Sequence, residues 1–372
     1  MNIGIDARPL IEKKSGIGYF LEYTLKNILE LDQKNIYYLI SDKEIYFDIS
    51  NYKNVKKYIY GYGKVIKKSF FYFLKLHKKL EKDNIKLDVF WGTQHFIPKR
   101  LNCRTVLTIH DLSFKLFPKT VDFKVRLISD LMFKSSVRMA DDIVCDSNYT
   151  KKVLTHEYKD IMGDKKTHVI YIAGNDDNYE MKKEEIHDEL IDKYKFTNRK
   201  YILFISTIEP RKNIDVLLNA FYNLNDKMDL VICGKIGWKC EQIEQRINNM
   251  DNVYYLNYVT DQEKAYLLKN AYVFVMPSLY EGFGIPVVEA MQMDIPVVVA
   301  DNSSLKEIVQ MSKLRFETHN YKQLNEILNM LYDNKEFYQK AKQYSMNRKK
   351  DFTWEKTALQ YIKVFKGEIS KE

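Results

Sequence analysis

Residues 271–291 read Ala271-Tyr-Val-Phe-Val-Met-Pro-Ser-Leu-Tyr-Glu-Gly-Phe-Gly-Ile-Pro-Val-Val-Glu-Ala-Met291, and their order decides the fold. Ala271 to Ser278 is apolar on successive residues and rich in Val and aromatic side chains, the pattern of a strand buried on both faces. Gly282 and Gly284 then let the backbone turn and approach a ligand closely. Pro286 suits the first turn of a helix. The N–H groups of that turn, with the helix dipole, attract a phosphate or a sugar oxygen. Glu281 stands at the mouth of the loop. Glu289 falls eight residues later, in the second helical turn. A carboxylate there accepts two hydrogen bonds from a vicinal diol such as a ribose. The other reading of the two glutamates is a solvated pair on an ordinary strand–loop–helix.

Working outward, the same alternation recurs. Short apolar runs start at Asn2, Ile36, Val55, Leu87, Arg104, Asp141 and His168, and again at Lys200, Met228, Asn252, Ala271 and Ile295. Stretches at helical period separate most of them, such as 17–31 and 213–224. Strand–helix alternation implies a doubly wound parallel sheet with helices on both faces. It occurs twice, separated by a polar, charged stretch from Gly174 to Lys200. The expected organisation is an α/β domain over 1–174, a linker over 175–199, a second α/β domain over 200–350, and a C-terminal helix over 351–372 with a route back to the first domain open to it. Two such domains facing each other leave a cleft lined by the carboxyl ends of strands, where these sheets bind ligands.

Composition agrees. The chain has 372 residues, and roughly 150 residues per domain gives about two domains. With 45% hydrophobic and 29% charged residues, it is neither disordered nor fibrous. No run reaches the ~18 apolar residues of a spanning helix. The opening MNIGIDARPL goes straight into a strand pattern, so no secretory signal is expected. Cys103, Cys145, Cys233 and Cys240 read as thiols in a reducing compartment, which makes the cytoplasm the expected location. No nucleic-acid-binding signature, Walker loop or internal repeat occurs.

A second segment, Phe204-Ile-Ser-Thr-Ile-Glu-Pro-Arg-Lys-Asn-Ile-Asp-Val-Leu-Leu218, again ends a strand and starts a helix near Asn213, a residue suited to capping it. Arg211 and Lys212 fall in the loop between. Two readings are open: they neutralise a diphosphate as charge develops on it, or they form a solvated basic turn.

These two segments, in this order, resemble the retaining nucleotide-sugar glycosyltransferases of family 4, which have the GT-B fold. Ser15-Gly-Ile-Gly-Tyr19, Thr108-Ile-His-Asp-Leu-Ser-Phe114, Cys145-Asp-Ser-Asn-Tyr-Thr150 and Val259-Thr-Asp-Gln-Glu263 extend the resemblance over most of the chain. It implies two Rossmann-like domains, the first for the acceptor and the second for a nucleotide-diphosphate sugar. Glu281 then contacts the donor sugar with the amides of Gly282, Phe283, Gly284 and Ile285. Glu289 holds the ribose hydroxyls, and Lys212 the diphosphate. Gly16 and Gly18 form the first-domain turn across from the phosphates; a plain helix-start turn is the other reading. His110 faces the transferred sugar, where a packed or capping histidine is the alternative. Many members carry Gly-Arg where this chain has Ser206-Thr207, and Arg211 is the substitute cation. Base selection rests on backbone near Gly234 and Val259. The catalytic set implied is His110, Glu281, Arg211 and Lys212.

The first-half pattern looks like bacterial mannosyltransferases that build surface polysaccharides. It points to mannose transfer from GDP-mannose to a hydroxyl of a glycan or lipid-linked glycan. A UDP-sugar donor and a GT-B-type epimerase are the alternatives. With no Asp-x-Asp triplet in the sequence, neither a metal nor any other cofactor is expected.

Lys and Arg number 59 against 50 acids, a net charge of +9. Between Lys53 and Lys86 eleven lysines face two acids, an excess as large as the whole chain's. At helical period over 64–83, Val65, Ile66, Phe70, Phe73, Leu76 and Leu80 fall on one side. Lys64, Lys67, Lys68, Lys75, Lys78, Lys79 and Lys82 fall on the other, with Phe71 among them. The lysine face is either simply solvated or docks on an anionic leaflet, the inner face of the cytoplasmic membrane, with Phe71 as a shallow anchor.

Overall fold

The computed structural model describes residues 1–11, 16–60, 68–118, 123–175, 199–238 and 240–368, with the side chains of 68–73 and 123–126 excepted. Lys64 and Lys67, the side chains of Lys68 and Phe71, and nearly all of the 175–199 segment lie outside the described residues. The chain divides into two units. Unit 1 comprises Met1–Ile172 and Thr353–Glu372, and unit 2 comprises Ala173–Phe352.

Among the described residues, unit 1 is built on seven strands: β1 (Asn2–Asp6), β2 (Ile36–Ser41), β3 (Val55–Ile59), β4 (Val89–Gly92), β5 (Arg104–Ile109), β6 (Asp142–Cys145) and β7 (Lys166–Val169). Their order is β3-β2-β1-β4-β5-β6-β7, every pair parallel. Helices α1 (Gly16–Leu31), α2 (Lys68–Lys82), α3 (Phe123–Met139) and α4 (Asn148–Glu157) fall between strands. Leu76 and Leu80 of α2 share a buried layer with Phe133 and Val137 of α3 and Leu107 and Ile109 of β5. Lys75, Lys78 and Lys82 of α2 are exposed and Lys79 is half-buried. The amphipathic pattern expected over 64–83 is thus a helix over Lys68–Lys82. No helix among the described residues is long and apolar enough to cross a membrane.

Unit 2 has six parallel strands: β8 (Tyr201–Ile205), β9 (Asp229–Cys233), β10 (Val253–Leu256), β11 (Val273–Met276), β12 (Val297–Ala300) and β13 (Arg315–Phe316). Their order is β10-β9-β8-β11-β12-β13. Helices α5 (Ile214–Phe221), α6 (Glu241–Asn248), α7 (Asp261–Asn270), α8 (Ile285–Gln292), α9 (Tyr321–Asp333) and α10 (Lys335–Arg348) complete it. β9, β11 and β12 are buried at every residue, which is why their sequences are apolar without alternation. Thr260 and Glu263 close a reciprocal capping box at the start of α7, satisfying two backbone donors.

The last helix, α11 (Trp354–Lys366), belongs to unit 1. Tyr361 lies 4.5 Å from the Trp91 ring and its hydroxyl is 2.9 Å from Thr108 Oγ1, which also accepts from Trp91 Nε1 at 2.8 Å. Trp354 stacks on Tyr23 of α1 at 5.4 Å. The chain therefore passes from one unit to the other twice.

Candidate active site

In unit 2 the strand order reverses between β8 and β11, which pair directly through Val273–Ile202 and Phe274–Leu203. Loops at the carboxyl ends of two such strands diverge and leave a crevice. The loop after β8 carries Ser206, Thr207, Arg211 and Lys212. The loop after β11 carries Glu281 to Gly284. Both segments singled out in the sequence therefore meet at one point of the sheet.

Pro210–Lys212 forms a short 3-10 turn held against the β11 loop by Leu279 N donating to Arg211 O at 2.8 Å. Asn213 does not cap α5 with its side chain. It sits at φ 54, and its Nδ2 donates to Pro277 O at 3.0 Å and Thr318 O at 2.8 Å. It brackets the two loops together instead. Gly284 takes φ 114, a conformation that L side chains rarely adopt. Behind the glycine loop, Ser304 Oγ donates to Glu281 O and Phe283 O at 2.9 and 2.6 Å, and Glu281 N donates to Ser303 Oγ at 3.1 Å. The loop backbone is held by serine hydroxyls from outside the loop, not by its own sequence alone.

Glu281 is the hub. Lys212 Nζ donates to its Oε1 at 2.6 Å, and Arg211 Nη1 lies 3.3 Å from its Oε2. Arg211 also donates to Tyr280 O at 2.7 Å and to Glu209 Oε1 at 2.6 Å. Glu281 and Lys212 are 8% and 7% exposed. Burial alone pushes the Glu281 carboxyl up. The Lys212 and Arg211 charges and the hydrogen bonds from Lys212 and Ser278 outweigh it and hold the carboxyl below its ordinary value. Two cations are thus positioned by carboxylates at a strand-end crevice.

Glu289, on α8, is 2% exposed. Lys264 of α7 donates to its Oε1 at 2.6 Å, while Oε2 is buried with no hydrogen-bond partner among the described residues. One oxygen is paired with a cation and the other is enclosed with its hydrogen-bonding capacity unused. Gly174 lies against this glutamate: a Cβ there would come 2.7 Å from Glu289 Cγ. On the other flank, Gly234 adopts φ 138, and a Cβ would fall 1.9 Å from Ser206 O. Its N–H donates to Asn257 O at 2.7 Å, in the loop that leads to half-buried Val259. Ser206, Gly234 and the loop before Val259 are therefore neighbours at the ends of β8, β9 and β10.

In unit 1, His110 follows β5. Its Nδ1 lies 2.6 Å from Asp146 Oδ2 and its Nε2 3.0 Å from Thr93 O. A carbonyl oxygen only accepts, so Nε2 carries a proton; a carboxylate on the other side calls for a second proton on Nδ1. Burial pulls the His110 pKa down, but the Asp146 charge, the Asp146 hydrogen bond and the Thr93 carbonyl raise it above its ordinary value overall. His95 accepts a hydrogen bond from His110 N at 3.1 Å through Nε2. Burial and the neighbouring His110 push His95 down to about 4, so it is the neutral partner. Phe20 of α1 packs edge-on to His110 at 4.7 Å, two residues beyond buried Gly18 and four beyond exposed Gly16. Asp111 is occupied locally, its Oδ1 accepting from Ser113 N and Oγ at 2.8 Å.

Lys264, Asp146 and His95 were not singled out by the sequence. Asp146 stands inside a quoted motif, one residue past β6, as His110 stands one past β5, and the pairing of Ile109 with Cys145 makes the two adjacent. Lys264 had no comparable signal. Among the described residues, no group of three or more His, Cys, Asp or Glu side chains is arranged to hold a metal ion.

Residues 182–348 match the family described as glycosyl transferases group 1, the span that contains Lys212, Glu281 and Glu289. That segment belongs to the group 1 glycosyl transferases. The chain is 29% identical over 287 residues to the O-antigen chain mannosyltransferase B of Escherichia coli, covering 75% of this chain and 74% of that one. It is 28% identical over 220 residues to the O-antigen chain mannosyltransferase RfbU of Salmonella typhimurium, covering 58% of this chain and 57% of that one. Among solved structures, sucrose-phosphate synthase from Thermosynechococcus elongatus aligns over 98% of both chains with a TM-score of 0.74 and 16% identity. At that identity the likeness shows the fold, which is GT-B. The likeness of that segment to the family implies a nucleotide-sugar donor.

Proposed function

We propose that the protein moves mannose from GDP-mannose to a hydroxyl of a glycan or lipid-linked glycan, with retention of configuration, in the assembly of a surface polysaccharide. The O-antigen chain mannosyltransferases matched above support the sugar moved and the product class. The observation that carries the chemistry is the Lys212–Glu281–Arg211 cluster at the β8/β11 crevice.

In this reading the sugar–phosphate bond breaks as charge accumulates on the departing diphosphate. Lys212 and Arg211 stabilise that charge together with the amides of Gly282 to Ile285. Glu281 holds both cations in place and orients the donor sugar. Ionised and bound to two cations, it is a poor nucleophile. The departing phosphate instead takes the acceptor's proton on the same face of the sugar, which retains configuration. Glu289 Oε2 receives the ribose hydroxyls. Ser206, Thr207, Gly234 and Val259 line the base and phosphate side. The roles of His110, protonated between Asp146 and Thr93, and of Gly16 and Gly18 rest on the family resemblance. No divalent ion is required. Lys75, Lys78 and Lys79 of α2, together with the lysines and Phe71 of the same basic stretch of sequence, dock the enzyme on the anionic inner leaflet from the cytoplasm.

The test is a panel of GDP-, UDP- and ADP-sugars with and without lipid-linked acceptors, in EDTA. Acceptor-dependent release of GDP from GDP-mannose is expected, and replacing Lys212 by Ala should cut it at least ~100-fold. Release of UDP instead moves the donor assignment. An isomerised donor formed without acceptor replaces transfer with epimerisation. Loss of turnover in EDTA with recovery on Mg²⁺ overturns the metal-free reading. For docking, flotation with phosphatidylglycerol vesicles should exceed that with phosphatidylcholine alone; equal recovery ends the proposal.

A further inference from the structure

A groove away from that crevice opens in unit 2 between α5, α6 and the start of α9, with a volume of about 740 Å³. Asn219, Tyr222 and Asn223 come from the end of α5. Gln242, Gln245 and Asn249 come from one face of α6, spaced three, then four residues apart. Its chemistry departs from the rest of the surface. In a chain with 29% charged residues, the lining holds no acid and one base, Arg246. That base is already engaged: it pairs with Asp215, and its Nη2 donates to Asn219 Oδ1 at 2.7 Å. The remainder is five amides, two tyrosine rings and Met250. Tyr222 is 69% exposed, the most exposed large aromatic or apolar side chain among the described residues, and Tyr321 is 37% exposed.

This lining selects against most ligands. A phosphate or nucleotide calls for more than the one base present here, which an exposed carboxylate already offsets. A metal ion or a basic peptide needs carboxylates. A pyranose presents an apolar C–H face together with hydroxyls that both donate and accept. An open aromatic ring matches the first, and side-chain amides, which also donate and accept, match the second. The eight residues of α5 place Tyr222 roughly 12 Å along the helix from the Lys212 end, so the groove is separate from the crevice. We propose that it binds a neutral oligosaccharide, with one pyranose stacked on Tyr222, and so retains the glycan between transfers. The role as a glycan-retention site rests on the function proposed above; the ligand class rests on the groove alone.

Saturation-transfer NMR and titration on the full chain, with α-mannotetraose, maltotetraose and cellotetraose as probes, test it. At least one probe should bind. Tyr222→Ala with Tyr321→Ala should weaken that probe at least about fivefold, and Tyr222→Phe should retain it. The thermal shift given by GDP should be the same in all variants, which shows that they are folded. Failure of every probe to bind, or equal binding by the double alanine variant, overturns the proposal. Sugar turnover is measured separately: turnover without groove binding removes only this site, and groove binding without turnover removes only the proposed reaction.

Discussion

Glu281 and Lys212 keep each other charged. Each is nearly enclosed, and an enclosed charge without a partner is costly. Replacing Lys212 by Met leaves Glu281 with Arg211 at the longer distance, and should lower stability by about 3 kcal/mol, read as a fall in the calorimetric midpoint. The double change Lys212→Met with Glu281→Gln should regain most of that midpoint while transferring no sugar. A single variant as stable as the parent would show that the pair is not what keeps the carboxylate ionised. His110 gives the opposite dependence on pH. Its raised pKa means that its interaction with Asp146 stabilises the fold fully below about 6.5, the unfolded value. The contribution is lost as pH rises through the higher folded value. Urea midpoints should fall from pH 6 to pH 9, and Asp146→Asn should flatten that slope; an unchanged slope would refute the assignment. At this scale Lys212, Glu281 and Glu289 were legible because short motifs carry them. Lys264 was not, because its link to Glu289 spans two helices and 25 residues, a separation at which local pattern carries no information.

Among the elements, the strands were the most legible, because strands buried on both faces need uninterrupted apolar residues. The β8/β11 neighbourhood was not written in either segment; it is a property of strand order. Asn213 shows how a local rule yields to tertiary context. A residue suited to capping a helix instead turns left-handed and bonds two other loops, since their carbonyls would otherwise be buried without a donor. Gly234 is where the ends of β8 and β9 come closest. An alanine there would put its Cβ onto the Ser206 carbonyl and force an unfavourable φ. Gly234→Ala should cost at least about 2 kcal/mol by chemical denaturation and abolish the thermal shift given by GDP. A variant as stable as the parent, with that shift intact, would mean that the β8 and β9 ends relax freely and do not shape the base side.

At the scale of the molecule, α11 is a piece of unit 1 supplied from the far end of the chain. Composition suggested two units, but no pattern within 351–372 says that Tyr361 will meet Trp91 and Thr108. That contact is set by shape and by one shared hydroxyl. A chain ending at Phe352 should lose the unfolding transition of unit 1 in calorimetry while keeping that of unit 2, with Trp91 emission shifted to the red. Retention of both transitions would show that α11 only decorates the sheet. The same arrangement orders the birth of the protein. Everything from Met1 to Ile172 leaves the ribosome early, yet its last layer arrives only after the whole of unit 2 has been made, an interval of roughly 10–40 s at 5–20 residues per second. Throughout that wait the nascent first half exposes the indole of Trp91 and the α1 side of its sheet. It is then a client for chaperones and vulnerable to any arrest of translation before the codons of α11 are read.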